Sequence, residues 1–135
     1  MKKKIIILII VLLVIGGMIT IIKVISNKVK KPKNLELVYE INAGIPFRWE
    51  VEVEDETIIK YLNSKVIRDD NKGGLVGASV YTKYIFGGLK EGTTTITFNY
   101  YNFADDYISS KDIYLVEVDD NKNVSVISKK NKNNS

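Results

Sequence analysis

The chain has 135 residues and contains neither Cys nor His, which excludes disulfides, Cys- or His-based metal sites and catalysis by a Ser-His-Asp or Cys-His arrangement. Its net charge of +4 comes from residues 1–33, which hold eight Lys and no acid. Residues 34–135 hold twelve Lys and Arg against sixteen Asp and Glu, a net charge of −4, so the basic face that nucleic acid requires is not expected.

The N-terminus is predicted to be a membrane segment. A basic head precedes an apolar run over residues 5–22 that is interrupted only by two Gly and one Thr. A bilayer-spanning helix needs about 17–25 apolar residues, whereas the apolar part of a cleavable signal peptide usually has about 7–15. Residues 1–26 are therefore interpreted as an anchor, with a signal segment as the alternative.

The short basic head directly before the apolar run favours a domain outside the cytoplasm. The expected location is a single pass in the cell membrane, or secretion if the segment is cleaved. Residues 27–34 are rich in Lys and contain Pro32, which indicates a solvated basic linker.

Two segments of alternating polarity follow, Leu35–Ile41 and Phe47–Val53. They are predicted to be half-buried strands, because side chains in a strand alternate between its two faces. Between them, Gly44 has unusual backbone freedom, and Pro46 fixes its own φ and favours an extended Ile45. The sequence predicts a stiff loop with an apolar tip.

Five more segments are predicted to be strands or strand-like. The alternation in the first of them is irregular, so it is allowed to contain a helical turn. In chain order they are Ile58–Val66, Tyr81–Phe86, Thr93–Tyr101, Asp112–Val118 and Val124–Ile127. The Lys- and Asn-rich residues 128–135 are predicted to be a disordered tail.

Short strands separated by turns, without helical periodicity, predict an all-β fold: an immunoglobulin-like β-sandwich preceded by an N-terminal transmembrane helix. The row Glu50, Glu52 and Glu54 is interpreted as a solvated face, and no metal site is expected. Large aromatic side chains are expected to fill much of the core: Tyr39, Trp49, Tyr84, Phe86, Phe98, Tyr100 and Tyr114.

Three loops separate these strands in a pattern that can bring them to one end of a sandwich: Asn42–Phe47, Asp70–Val80 and Asn102–Ser110. Loops at one end are how this architecture binds partners. Ordinary connecting loops are an equally good explanation of the spacing alone.

The residues in these loops resemble the chagasin (I42) family of cysteine-protease inhibitors over about residues 35–119. Asn42-Ala43-Gly44-Ile45-Pro46-Phe47-Arg48-Trp49 is similar to the family's Asn-Pro-Thr-Thr-Gly-Tyr-x-Trp, with Asn42 and Trp49 matching. Gly77 stands where the family's Gly-x-Gly-Gly begins. Leu89-Lys90-Glu91-Gly92-Thr93 is similar to its Leu-Lys-x-Gly-Thr turn, and Phe103 lies near its Arg-Pro-Trp.

The resemblance implies a β-sandwich domain over residues 35–127 that inhibits papain-like cysteine proteases and is not an enzyme, with no cofactor. The first loop would enter the active-site cleft as a preorganised wedge, with Trp49 anchoring it from the core. The residues implied to bind the protease are Asn42, Ala43, Gly44, Ile45, Pro46, Phe47, Gly77, Ala78, Ser79, Asn102 and Phe103.

Two alternatives remain open at this stage. One is a membrane-anchored, extracytoplasmic interaction module that has kept the scaffold without inhibiting a protease. The other is a hydrolase that uses Asp69 and Asp70, or Asp105 and Asp106, as a carboxylate pair. Adjacent acids in loops usually form turns, and no partner base is apparent.

Overall fold

The computed structural model describes residues 10–15, 30–42, 44–67 and 79–133. The chain divides into two compact units, Met1–Lys31 and Pro32–Ser135. In the first unit, residues 10–15 are helical. Among the described residues, no helix is long and apolar enough to cross a membrane; most of the predicted anchor over residues 5–22 lies outside them.

The described part of the second unit contains seven strands in two antiparallel sheets. One sheet has the order β1-β4-β3 and the other β2-β5-β6-β7. The all-β prediction is confirmed, and the two sheets are consistent with an immunoglobulin-like β-sandwich. The strands are β1 Leu35–Asn42, β2 Phe47–Val53, β3 Ile59–Ile67, β4 Ser79–Gly88, β5 Gly92–Asn102, β6 Tyr107–Val118 and β7 Val124–Asn133.

The core lies between the two sheets, because alternate residues of each strand face it. Phe86, Ile96 and Phe98 are completely buried. Of the aromatic residues predicted for the core, Tyr39, Tyr84, Phe86, Phe98 and Tyr114 are buried, and Trp49 is partly buried against them.

Two elements differ from the prediction because of β-bulges. The register between β3 and β4 shifts between Tyr61 and Asn63, which explains the irregular alternation there. Ile59–Ile67 is a strand, and a turn lies just before it, where Ile58 N and Ile59 N donate to the carbonyl oxygen of Asp55 at 3.2 and 3.4 Å. The register between β5 and β6 shifts between Tyr100 and Tyr101. Strand β6 begins at Tyr107, so the loop predicted over Asn102–Ser110 is shorter than expected.

The tail also differs from the prediction of disorder over residues 128–135, since β7 continues to Asn133. Its second half pairs with β6, with Asn133 opposite Ser110. Asp112 of β6 holds it there: Asn131 Nδ2 donates to Asp112 Oδ1 at 2.6 Å, and Lys129 Nζ lies 2.8 Å from Oδ2. Pairing with this distant strand therefore orders the tail despite its polar composition.

Replacing Asp112 by Asn is expected to destabilise the fold by about 1–3 kcal/mol at pH 7, because Asp112 is only 5% exposed and carries charge-assisted hydrogen bonds. Burial alone raises the pKa of Asp112, but hydrogen bonds from Lys129, Tyr39 and Asn131 outweigh burial and lower that pKa below its ordinary value. A carboxyl whose pKa is lowered by folding stabilises the folded state above its unfolded pKa of about 4, and that contribution is lost as the pH falls through the lower, folded value.

The difference in unfolding free energy between the wild-type chain and Asp112→Asn should therefore shrink as the pH is lowered from 7 to about 3. Urea unfolding at both pH values measures it. Glu117→Gln, a change at an exposed position of the same strand, should show a small difference at either pH. If the difference in unfolding free energy between the wild-type chain and Asp112→Asn is the same at pH 3 as at pH 7, the role assigned to the Asp112 carboxylate is wrong.

Candidate functional site

The first and third predicted loops meet at one end of the sandwich. Strand β2 begins at Phe47, which pairs with Asn102 at the end of β5. The backbone N–H of Phe103 donates to the carbonyl oxygen of Pro46 at 3.0 Å, so the two loops are bonded to each other. We call Asn42–Phe47 the first loop and Asn102–Tyr107 the third loop.

The second predicted loop is seen only at its border. Residues 68–78, including Gly77 and Ala78, lie outside the described residues, as does Ala43 of the first loop. Ser79 is the first residue of β4 and pairs with Asn42, the residue at which the first loop begins. The described end of the second loop therefore adjoins the first loop.

Asn42 orders the first loop through its side chain and its backbone. Its Oδ1 accepts a hydrogen bond from Gly44 N at 2.9 Å, and its carbonyl oxygen accepts one from Ile45 N at 3.4 Å. A Cβ at Gly44 would meet Asn42 Oδ1 at 3.4 Å. The stiffness comes from this Asx turn, and it leaves Ile45 40% exposed.

A column of aromatic rings, two of its contacts stacked and two tilted, connects the first loop to the core. Phe47 stacks on Tyr100 with ring centroids 4.7 Å apart, and Tyr100 lies 4.7 Å from Trp49. Trp49 lies 4.4 Å from Tyr39, which stacks on the buried Phe98 at 4.2 Å. We call these five residues the aromatic column. It links the base of the loop to the core by continuous contact.

Trp49 also joins the two sheets, since its Nε1 donates to the carbonyl oxygen of Glu40 in β1 at 3.1 Å. This supports the role of an anchor predicted for Trp49. The role of Tyr100 was not predicted from the sequence, where Tyr100 was expected in the core. Tyr100 is the last inward-facing residue of β5 before the register shift and lies directly opposite Trp49 in β2. Its position near the end of the predicted strand was the available signal.

Asn102 organises the third loop and is 4% exposed. Its Oδ1 accepts hydrogen bonds from Ala104 N at 2.9 Å and Asp105 N at 3.2 Å, and its Nδ2 donates to Asp105 Oδ2 at 3.1 Å. The side chain of Asn102 therefore shapes the loop from within. Phe103, in contrast, is 54% exposed.

The two adjacent acids of the third loop also act within it. Asp105 accepts from Asn102, and Asp106 Oδ1 accepts a hydrogen bond from the hydroxyl of Tyr101 at 2.5 Å. Asp106 has a φ of 56°, in the left-handed region that Asp tolerates in turns. The hydrogen bond to Asp106 raises the pKa of Tyr101. These carboxylates form the turn.

Replacing Asn102 by Ala is expected to cost about 1–3 kcal/mol of stability, because the N–H groups of Ala104 and Asp105 lose their acceptor. Thermal unfolding measures the cost, and amide hydrogen exchange should show faster exchange at residues 104 and 105. Asn121→Ala, in an exposed turn, is the control. Equal effects of both changes would show that Asn102 does not organise the loop.

The described parts of the first and third loops expose large apolar side chains. The exposed large apolar residues in these described parts are Ile45, Phe103 and Tyr107. Beside them, the guanidinium of Arg48 pairs with Glu50 at 2.7 Å and lies 5.3 Å from the centre of the Tyr101 ring. Among the described residues, no three Asp or Glu side chains group in a way that could hold a metal ion. This anatomy is typical of a protein-binding surface.

A known family model covers more than half of the chain. The family described as Chagasin family peptidase inhibitor I42 matches residues 28–118. Among solved structures, the chain is similar to the cysteine protease inhibitor EhICP2 from Entamoeba histolytica, with 20% identity and a TM-score of 0.44. That match covers 51% of this chain and 61% of EhICP2, so the chain spans less than two thirds of that protein. No curated protein matches the chain.

Proposed function

The chain belongs to the chagasin family of I42 peptidase inhibitors, and on that basis we propose that it inhibits papain-like cysteine proteases. In this proposal the first loop, Asn42–Phe47, enters the active-site cleft. Gly77–Ser79 and Asn102–Phe103 flank it and clamp the walls of the cleft. No bond is made or broken, because inhibition follows from occupying the cleft.

The observation that carries the proposal is the hydrogen bond of 3.0 Å between Phe103 N and Pro46 O. Because this hydrogen bond joins the first and third loops, it holds two exposed apolar residues, Ile45 and Phe103, in a fixed relation to each other. A protease–inhibitor interface buries only about 800 Å² on each partner, so tight binding depends on loops that need no ordering when they bind. The Asx turn at Asn42 and the aromatic column supply that rigidity.

Some residues of the two loops contact the protease, and others hold those contact residues in position. Ile45 is the tip, and the small Ala43 and Gly44 let the backbone approach the cleft closely. Phe103 contacts the wall beside it. Asn42 and Asn102 use their side chains inside the loops, so they position the contact residues.

The direct test is a titration of papain with the full chain in a mild nonionic detergent, followed by hydrolysis of a peptide substrate. The expected result is reversible competitive inhibition with a Kd between about 1 nM and 1 μM, and a chain that stays uncleaved by mass spectrometry. A serine protease such as trypsin is the control and should not be inhibited. A folded chain that leaves papain fully active would overturn the proposal and favour an interaction module.

We also propose that residues 5–22 attach the chain to the cell membrane with the domain outside the cytoplasm. The support is the length and apolar character of this run. Cells expressing the full chain should keep it in the membrane fraction after alkaline extraction, and external protease should digest the domain. Recovery of a shortened chain in the medium would instead indicate a cleaved signal segment.

A further inference from the structure

A concave site lies away from the tips of the loops, where β2 and β3 approach each other at the edges of the two sheets. The cavity there has a volume of about 340 Å³. Protein cavities that bind small ligands are typically about 300–1,000 Å³ and are lined by apolar and aromatic side chains with a few polar groups. The lining residues are Trp49, Val51, Val53, Glu56, Tyr61 and Tyr84.

The lining changes from apolar to charged. Tyr84 is buried at 8% exposure, and Val51 and Val53 are half-buried against the core. Tyr61 is 39% exposed, and Glu56 is exposed. The body of a ligand in this cavity would therefore contact an apolar wall. Its solvent-facing end would contact an aromatic ring and a carboxylate.

One acidic side chain, that of Glu56, belongs to the lining of the cavity. Residues 50–56 read Glu-Val-Glu-Val-Glu-Asp-Glu, but Glu50 and Glu52 alternate with Val51 and Val53 and so lie on the opposite face of β2, where Glu50 pairs with Arg48. Asp55 is held in a turn by hydrogen bonds from Thr57, which lower the pKa of Asp55, and the charge of Lys90 acts on that same carboxylate. Glu52, Glu54 and Glu56 are exposed. The negative charge of Glu56 at the cavity therefore favours a positively charged ligand.

We propose that this cavity binds an organic cation: an ammonium group on a small apolar body, either free or as the side chain of Lys in a partner peptide. The apolar body lies against Val51 and Val53. The ammonium lies between the ring of Tyr61 and the carboxylate of Glu56. Aromatic rings attract cations through their negative faces, and this is the usual way in which proteins recognise quaternary ammonium groups.

Trp49 gives a direct readout, because it lines the cavity and is the only Trp in the chain. The full chain in nonionic detergent is titrated with choline and with its neutral carbon analogue, in which a quaternary carbon replaces the nitrogen. Choline is expected to change the Trp49 fluorescence saturably, and the neutral analogue to bind at least about fivefold more weakly. Equal binding of the two compounds, or no saturable change in a folded chain, would overturn the proposal.

Variants and peptides sharpen the test. Glu56→Gln and Tyr61→Leu should each weaken choline binding about three- to tenfold, whereas Glu91→Gln, at an exposed site outside the cavity lining, should leave it unchanged. If Glu56→Gln and Glu91→Gln act alike, the assigned carboxylate is wrong. Ile45→Asp should not affect choline binding, which separates this site from the proposed inhibitory loop.

A peptide experiment identifies the source of the cation. If a Lys-containing tripeptide binds more tightly than choline, and its norleucine counterpart does not bind, the source is a peptide. If choline binds more tightly than the tripeptide, the source is a free amine.

Discussion

Replacing Ile45 by Asp is expected to weaken inhibition of papain at least about 100-fold, while the free energy of unfolding changes by no more than about 0.5 kcal/mol. The side chain of Ile45 is 40% exposed at the tip of the first loop. The hydrogen bonds that shape the tip use the Asn42 side chain and backbone atoms, so the substitution leaves them in place. In the complex, however, it forces an unpaired carboxylate into an enzyme cleft, which is strongly unfavourable.

The matched control is Ile127→Asp, which places the same charge on an exposed apolar residue of β7. It should leave inhibition unchanged. The inhibition constant and the urea unfolding curve are measured for both variants. If Ile45→Asp unfolds the domain, the first loop is part of the core and the assignment of the wedge is wrong. If both variants weaken inhibition equally, the effect is one of net charge and not of the tip.

Local alternation predicted the strands well where one face is buried and no residue is inserted. For β2 the predicted bounds Phe47–Val53 are also the observed ones, because its outward Glu residues alternate strictly with inward apolar residues. In β3 the bulge at Tyr61–Asn63 shifts the register, and the pattern loses its period of two. A single inserted residue is therefore enough to make the alternation of a strand look irregular in the sequence.

Long-range partners are the information that composition cannot supply. The end of β7 is composed of Lys, Asn and Ser and therefore looks unstructured, yet Asp112 binds both Lys129 and Asn131. The same limit applies to the site. The presence of Asn42 and Asn102 in loops was evident, but the sequence does not show that each side chain folds back on its own loop, or that Phe103 is bonded to Pro46.

Replacing Trp49 by Ala is expected to lower the free energy of unfolding by about 2–4 kcal/mol and to weaken inhibition at least about tenfold. The substitution removes the middle of the aromatic column and the hydrogen bond from Trp49 Nε1 to Glu40 O. Phe47 and Tyr100 then lose the ring that connects them to the core. The first loop must be ordered on binding, and the cost of ordering weakens the complex.

A second variant separates loss of rigidity in the loop from loss of overall stability. Ile59 is fully buried at the start of β3, and Ile59→Ala should cost about 2–5 kcal/mol without touching the aromatic column. Circular dichroism follows unfolding in urea for both variants, and papain inhibition is measured where both are folded. Inhibition should be preserved in Ile59→Ala and weakened in Trp49→Ala. If the two variants inhibit equally well, the column contributes to the fold alone, and the rigidity of the first loop rests on the Asx turn at Asn42.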